Sequence, residues 1–359
     1  MRVGLLIYGS LNTLSGGYLY DRELVKHLRA AGDDVEIISL PWRNYARHLT
    51  DNFSAALAAR LRAGQWEALL QDELNHPSLF WLNARWRGRY PIVAIVHHLR
   101  SSEQRATWQT VLYRSIERRY LTSVDGFVFN SQITRATVEA LVGGQRPAMV
   151  AYPAGNQFSA TLTETDVRAR AFQSGPLRLL FVGNIIPRKN LLTLLRAVAQ
   201  LPTASWRLSV IGNLALDPAH TRAICQHIQH TDLSDQVTLR GAVSDDELAV
   251  ELARAHVLVV PSEYEGFGIV YLEGMSFGLP ALASTAGAAH EIITPGENGF
   301  LVAPSDVNGL AAHLRALSSD REQLARLSLA ALKRFRAHPT WAQSVARIRE
   351  FLLTWRPDE

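Results

Sequence analysis

Short apolar runs alternate with stretches of helical period along most of the chain. Residues 3–8 form an apolar run that predicts a buried strand, and small residues follow through 9–17. Leu24, Leu28 and Ala31 then recur at helical spacing, with Gly32 as the stop. Residues 35–40 read as the next strand. Strand, glycine-rich turn, helix and strand make a βαβ unit with a right-handed crossover. Further strands are predicted at 91–96, 126–129 and 148–152. The first of these is apolar throughout, as a strand covered on both faces should be.

Residues 153–177 break this rhythm with Pro153, Gly155, a polar stretch and the pair Gly175 and Pro176, and read as a linker. The rhythm then restarts. Strands are expected at 177–182, 206–212, 237–239, 257–260 and 280–283, each followed by a turn and a helix. The expectation is an α/β protein of two tandem Rossmann-like, doubly wound domains facing a cleft. The proposed boundaries are 1–165 and 166–338. Residues 339–359 form a last helix, periodic through Trp341, Val345, Ile348, Phe351 and Leu352, that returns to the first domain.

Length agrees: 359 residues exceed one ordinary core. At 47% hydrophobic and 19% charged residues, disordered and fibrous classes are excluded. The net charge of +4 is unevenly spread, because residues 1–160 hold 18 basic and 13 acidic side chains. The basic residues are spaced singly, which does not favour nucleic acid. Arg43, Arg47, Arg85, Arg87 and Arg89 offer peripheral contact with an anionic membrane or acceptor, or simply a solvated basic face. The single cysteine, Cys225, excludes an internal disulfide and a multi-cysteine zinc site. It suits a reducing, cytoplasmic compartment. The N-terminal apolar run is too short for a signal peptide, and no stretch is long and apolar enough to span a membrane.

The densest chemical signal runs from Pro261 to Met275. A strand should end near residue 260 and a helix begin near Gly266. Gly266 and Gly268 would leave its first backbone N–H groups open to phosphate. Glu265 precedes that helix and Glu273 lies eight residues on, roughly 12 Å along a helical axis. Two carboxylates at that separation suit a sugar and a ribose on either side of a diphosphate. Phe267 and Ile269 complete the turn.

This frame, with Glu265 and Glu273 separated by seven residues after Pro261 and Ser262, resembles the retaining glycosyltransferases of family 4, with their two-Rossmann GT-B fold. Other landmarks follow in order. Gly16 and Gly17 resemble the family's N-terminal glycine loop, and His97 its histidine after the fourth strand. Phe181, Val182 and Gly183 with Pro187, Arg188 and Lys189 resemble the first donor-domain turn. Gly287 through Glu291, then Gly296, Glu297, Asn298 and Gly299, resemble the later loop and turn, and Trp341 the returning helix. One departure is Asn184, where many members carry an arginine; Arg188 is the neighbouring cation that would compensate.

The resemblance implies a hexosyltransferase that uses a UDP-, GDP- or ADP-linked sugar and needs no cofactor. Lys189 would meet the diphosphate, Glu265 the sugar and Glu273 the ribose. His97 would approach the sugar or leaving phosphate, and Gly16 and Gly17 would let backbone come close. No Asp-x-Asp occurs in the chain, so no metal is expected. The alternatives are a nucleotide-sugar epimerase of the same shape and a non-catalytic sugar-nucleotide-binding protein. His98 stands beside His97 with a structural or acceptor-side role. Cys225, His227 and His230 fall on a helical stretch and read as a solvated face. Tyr8, Tyr18, Tyr20 and Trp42 read either as an acceptor groove or as core and rim.

Overall fold

The computed structural model describes residues 1–103, 106–143, 146–158 and 162–354. Residues 159–161 of the expected linker and 355–359 of the expected tail lie outside them. Two compact units emerge. One holds Met1–Pro153 together with the chain from Pro339 onward, and the other holds Ala154–His338.

The first unit is built on a six-stranded sheet: β1 (Arg2–Tyr8), β2 (Asp34–Leu40), β3 (Ala68–Asp72), β4 (Ile92–Val96), β5 (Gly126–Phe129) and β6 (Ala148–Val150). Their order is β2-β1-β3-β4-β5-β6, all parallel. The second unit repeats the plan with β7 (Leu177–Val182), β8 (Trp206–Ile211), β9 (Val237–Gly241), β10 (Val257–Val260), β11 (Ala281–Ser284) and β12 (Gly299–Val302). Here the order is β12-β11-β10-β7-β8-β9, again parallel. Helices cover both faces, so central strands such as β4, β5 and β10 are buried at every residue.

Each sheet reverses its strand order once, between β1 and β3 and between β7 and β10. Ligand sites of open α/β sheets sit beyond the carboxyl ends of the strands at such a reversal. The loops after β1, β3, β7 and β10 are therefore where chemistry is expected.

Two strands escaped the sequence reading. β3 ends in Gln71 and Asp72, polar residues that are nevertheless fully buried. β12 is four residues long and follows directly on the Gly296 turn, where Gly296 N–H donates to Gly299 O at 2.8 Å.

The helix Trp341–Thr354 packs in the first unit. The Trp341 ring meets Tyr20 edge-on at 5.5 Å. Arg349 pairs with Asp33 at 2.7 Å, and Asp33 also takes the N-terminal ammonium at 2.7 Å. Among the described residues no helix is long and apolar enough to cross a membrane.

Candidate active site

In the second unit the loops after β7 and β10 meet. β7 delivers Gly183, and a single 3-10 turn, Pro187–Lys189, presents two cations. Asn190 ends that turn at φ 55°, a left-handed conformation that asparagine tolerates, and opens the helix Leu191–Val198. Lys189 Nζ donates to Glu265 Oε2 at 2.7 Å, and Ser262 Oγ donates to the same oxygen at 3.0 Å. Arg188 Nη1 lies 3.8 Å from that oxygen and donates to Tyr264 O at 2.7 Å. Burial pushes the Glu265 carboxyl up, but Lys189 and Arg188 outweigh it and hold it at about 2. Burial lowers Lys189, against the opposing pull of Glu265.

The helix after β10 starts at Ile269, not near Gly266 as the pattern suggested. Gly268 caps it at φ 94°, and a Cβ there would stand 2.3 Å from the Tyr271 ring. Tyr271 is fixed in turn by its hydroxyl on Val260 O at 2.9 Å. Glu265 thus lies on the extended approach to the helix, bridged to Gly287, whose Cβ would collide with Glu265 O at 2.0 Å. The helical rise that set Glu265 and Glu273 about 12 Å apart therefore does not apply across Gly266, Phe267 and Gly268. The two carboxylates still have separate surroundings. Glu273 is buried on the helix Ile269–Ser276 and accepts from Gln157 Nε2 at 2.6 Å. Burial raises its carboxyl to about 7, with Asp245 adding to the rise and Gln157 opposing it.

Sequence reasoning did not find Gln157. Its signal is Gly155, where a Cβ would sit 2.6 Å from Leu272 C; only glycine lets this segment lie flat on the helix. Asn184 follows Gly183 and accepts from Ile186 N–H through its carbonyl at 2.9 Å. Phe267 is buried, and Ile269 forms the first helical residue.

The first unit assembles a second set of groups at its own strand reversal. The helix Gly16–Ala30 is capped by Ser15, whose Oγ accepts from Tyr18 N–H at 3.4 Å. A Cβ on Gly17 would lie 3.2 Å from the His97 ring, so the glycine lets His97 press against the first turn. His97 N–H donates to Glu73 Oε2 at 3.3 Å, and its carbonyl accepts from Asn130 Nδ2 at 2.8 Å.

One turn further along the helix, Asp21 points to the same place, with Oδ1 3.9 Å from His97 Nε2. Asp72, at the end of β3, joins them, and the ligating atoms of the three lie within 4.8 Å of one another. All are buried, and neither Asp21 oxygen has a donor. Two carboxylates cannot bond each other; one shared proton makes the contact possible. Burial raises Asp21 to about 7, moderated by its contact with Asp72. Burial, then Asp21, raises Asp72. Burial lowers His97, so its imidazole is the neutral form near pH 7. Neither Asp21 nor Asp72 was legible in the sequence, where each is one ordinary acid.

Other expected residues fall elsewhere. Tyr8, Tyr18 and Tyr20 are core, with hydroxyls engaged by Ser78 Oγ, Tyr8 O and Ala151 O. Trp42 is exposed and meets Tyr8 edge-on at 5.4 Å. His98 Nε2 lies 3.1 Å from Glu103 Oε1. Cys225, His227 and His230 share the helix Pro218–His230 and form no metal-ligating group among the described residues. Arg43 is spent on Asp51 at 3.0 Å, while Arg47, Arg85, Arg87 and Arg89 are exposed.

Residues 163–334 match the family model described as glycosyl transferases group 1. This segment carries Lys189, Glu265 and Glu273. Among curated relatives, it is 38% identical over 144 residues to the MMP alpha-(1->4)-mannosyltransferase of Mycolicibacterium hassiacum. That match covers 40% of this chain and 34% of the relative; matches to two further relatives cover 41% and 61% of them. Among solved structures, sucrose-phosphate synthase from Thermosynechococcus elongatus superposes with TM-score 0.82 at 24% identity, covering 97% of both chains. Anabaena HepE in complex with UDP-glucose gives TM-score 0.78 at 18% identity, covering 99% of this chain and 100% of that one. These likenesses establish the GT-B fold.

Proposed function

We propose that this protein is a retaining, metal-independent glycosyltransferase of family 4, moving a hexose from a nucleoside diphosphate sugar to a glycan, lipid or small-molecule acceptor. The observation that carries the reading is the Lys189–Glu265 pair at 2.7 Å, backed by Arg188, on the approach to the helix that holds Glu273. A carboxylate held ionised by two cations is suited to a neutral sugar, while the cations and open helix start suit a diphosphate. Anabaena HepE, of the same fold, holds UDP-glucose.

In this reading the bond from the anomeric carbon to the diphosphate oxygen breaks, and the acceptor oxygen bonds that carbon on the same face. The acceptor proton passes to the leaving phosphate. Lys189 and the backbone N–H groups around Gly266, Phe267, Gly268 and Ile269 stabilise the charge that develops there. Gly183 and Asn184 line the diphosphate turn, and Glu265 holds sugar hydroxyls. The first unit takes the acceptor at its own strand reversal, beneath Gly16, Gly17 and His97.

The test is release of nucleoside diphosphate from a panel of UDP-, GDP- and ADP-hexoses, with the product anomer read by NMR. One donor should be turned over with retention, at the same rate in excess EDTA. Loss of turnover in EDTA, restored by magnesium or manganese, contradicts the metal-independent reading. An inverted product contradicts retention.

Glu273 provides a separate expectation. Ribose hydroxyls do not change in the reaction, so their partner acts on binding. Glu273→Gln should weaken donor and free nucleoside diphosphate by similar factors, about 10- to 150-fold, for a charge-assisted hydrogen bond worth roughly 1.5–3 kcal/mol. Because the wild-type carboxyl titrates at about 7, wild-type affinity for the nucleotide-sugar donor, whose esterified diphosphate does not titrate in this range, should fall as pH drops from 8 to 6, while the variant's stays flat. Calorimetry at both pH values decides; a pH-independent wild type removes Glu273 from the site.

A further inference from the structure

At the amino end of β7, the opposite end of the strand from the diphosphate turn, an open cavity of about 610 Å³ is lined by Arg170, Arg178, Arg254, Gln173, Ala253 and Asp166 among others. Arg178 is the second residue of β7, and Gly183 follows the end of that strand. The strand rise places this cavity roughly 16 Å from the diphosphate turn.

The charges here are not balanced. Arg170 is only 7% exposed, and a buried guanidinium normally has a carboxylate partner. Arg170 donates instead to backbone: Phe277 O at 2.6 Å, Gly278 O at 3.1 Å and Ala253 O at 3.3 Å. Arg178 donates to Arg254 O and to Gln173 Oε1, each at 2.6 Å. Behind it, Arg321 donates to Gly175 O at 2.9 Å and lies 3.4 Å from His256 Nδ1. Among the described residues, none of Arg170, Arg178 and Arg321 has a carboxylate within ion-pair distance.

Burial lowers Arg170 and Arg178, and in each the next cause is another arginine rather than an acid. His256, 1% exposed, has an unpartnered Nε2. The two nearby acids are committed. Asp166 caps its own helix through Thr163, and Glu251 lies 3.2 Å from Arg240 and 3.9 Å from Arg254.

The backbone contacts explain why Arg170 is where it is: it caps the carbonyl ends of the helices Ile269–Ser276 and Asp245–Arg254. They do not explain why Arg178 and Arg321 gather beside it without a carboxylate partner, or why Arg254, whose one acid is Glu251 at 3.9 Å, joins them. Three guanidiniums facing one cavity form forks matched to phosphate oxygens. The volume suits a small molecule.

We infer that the Arg170–Arg178–Arg254 cavity is a second binding site, separate from the donor site, for a small phosphate-bearing anion. The shared chemistry is a phosphate monoester or free phosphate carrying close to two negative charges.

Calorimetric titration of the full chain with inorganic phosphate and with glucose 6-phosphate tests this. The Lys189→Ala variant removes the cation of the diphosphate turn and should retain the binding. Arg178→Gln combined with Arg254→Gln, with Lys189 intact, should weaken it at least tenfold and leave nucleoside diphosphate affinity unchanged. Tighter binding of glucose 6-phosphate supports a phosphorylated sugar as occupant, and equal binding supports free phosphate. Loss of all phosphate binding in Lys189→Ala overturns the inference, as does undiminished binding in the double variant. Should the double variant not fold, Arg254→Gln alone, whose side chain is 71% exposed, must weaken binding about threefold; no change overturns the inference.

Discussion

Glu265→Gln is expected to destabilise the ligand-free second unit by roughly 2–4 kcal/mol at pH 7, and a diphosphate should restore most of that loss. The substitution keeps side-chain size and an oxygen acceptor, and removes only charge. What it leaves behind is Lys189, with a side chain 14% exposed, beside Arg188 and without the carboxylate 2.7 Å away. Breaking one side of a buried pair strands the other charge, which is the expensive case. Pyrophosphate or a nucleoside diphosphate supplies new negative charge to the same cations, so the variant should gain more from it than the wild type does.

The pH dependence follows from the depressed carboxyl. Its folded value, about 2, lies below the unfolded 4.5, so the contribution is complete above 4.5 and disappears as pH falls through 2. The difference between wild type and variant should therefore persist from pH 8 to about pH 5. Turnover should fall about 100- to 1,000-fold, as for loss of one preorganised contact to the transition state, while diphosphate affinity is not weakened. Denaturant unfolding with and without pyrophosphate, beside donor turnover, measures all of this. Equal stability of the two proteins would mean that Lys189 and Glu265 do not form a buried pair. Two ordinary helix-start charges would change stability by only a few tenths of a kcal/mol.

Asp21→Asn should act in the other direction. Asp21 and Asp72 touch in a buried place that also faces Glu73, His97, Tyr18 and Tyr20, and no lysine or arginine pairs with either acid among the described residues. A carboxyl whose folded value is raised, here from 3.8 to about 7, binds its proton more tightly when folded. Its stabilising contribution is complete below the unfolded value and is lost as pH rises through the folded one. Wild-type stability should therefore drain away between pH 4 and pH 7 through this pair. Asparagine removes one of the two charges without changing shape. The variant should be more stable than the wild type by roughly 2–4 kcal/mol at pH 8, and no more stable at pH 4. Urea unfolding at the two pH values decides. A gain independent of pH would show that Asp21 does not titrate in this range.

The local pattern of the chain was sufficient for much of the fold. Apolar runs such as 126–129 and 257–260 are strands within those same bounds, because a parallel strand buried on both faces needs continuous apolar residues. Glycines marked the turns after β1, β7 and β10. Glu265 and Glu273 stood out because their spacing and their glycine neighbours are local properties of the sequence, whereas Lys189 came only from the resemblance to family 4.

What the sequence could not carry is whatever depends on neighbours distant along the chain. β3 was missed because its final residues, Gln71 and Asp72, are polar, and only the sheet makes them interior. With β3 went the Asp21–Asp72–His97 cluster, whose members are separated by 51 and 25 residues and meet only at the strand reversal. The left-handed Gly268 delays the helix to Ile269, since the Tyr271 ring leaves no room for a side chain there. Gln157 reaches Glu273 across 116 residues. Charge states were also decided in three dimensions. Glu265 and Glu273 are the same residue type on one short segment, yet one carboxyl is held at about 2 and the other at about 7. The first faces two cations brought by the loop after β7, and the second faces Asp245 and an amide. Composition names the acids, but only packing determines which of them keeps its charge.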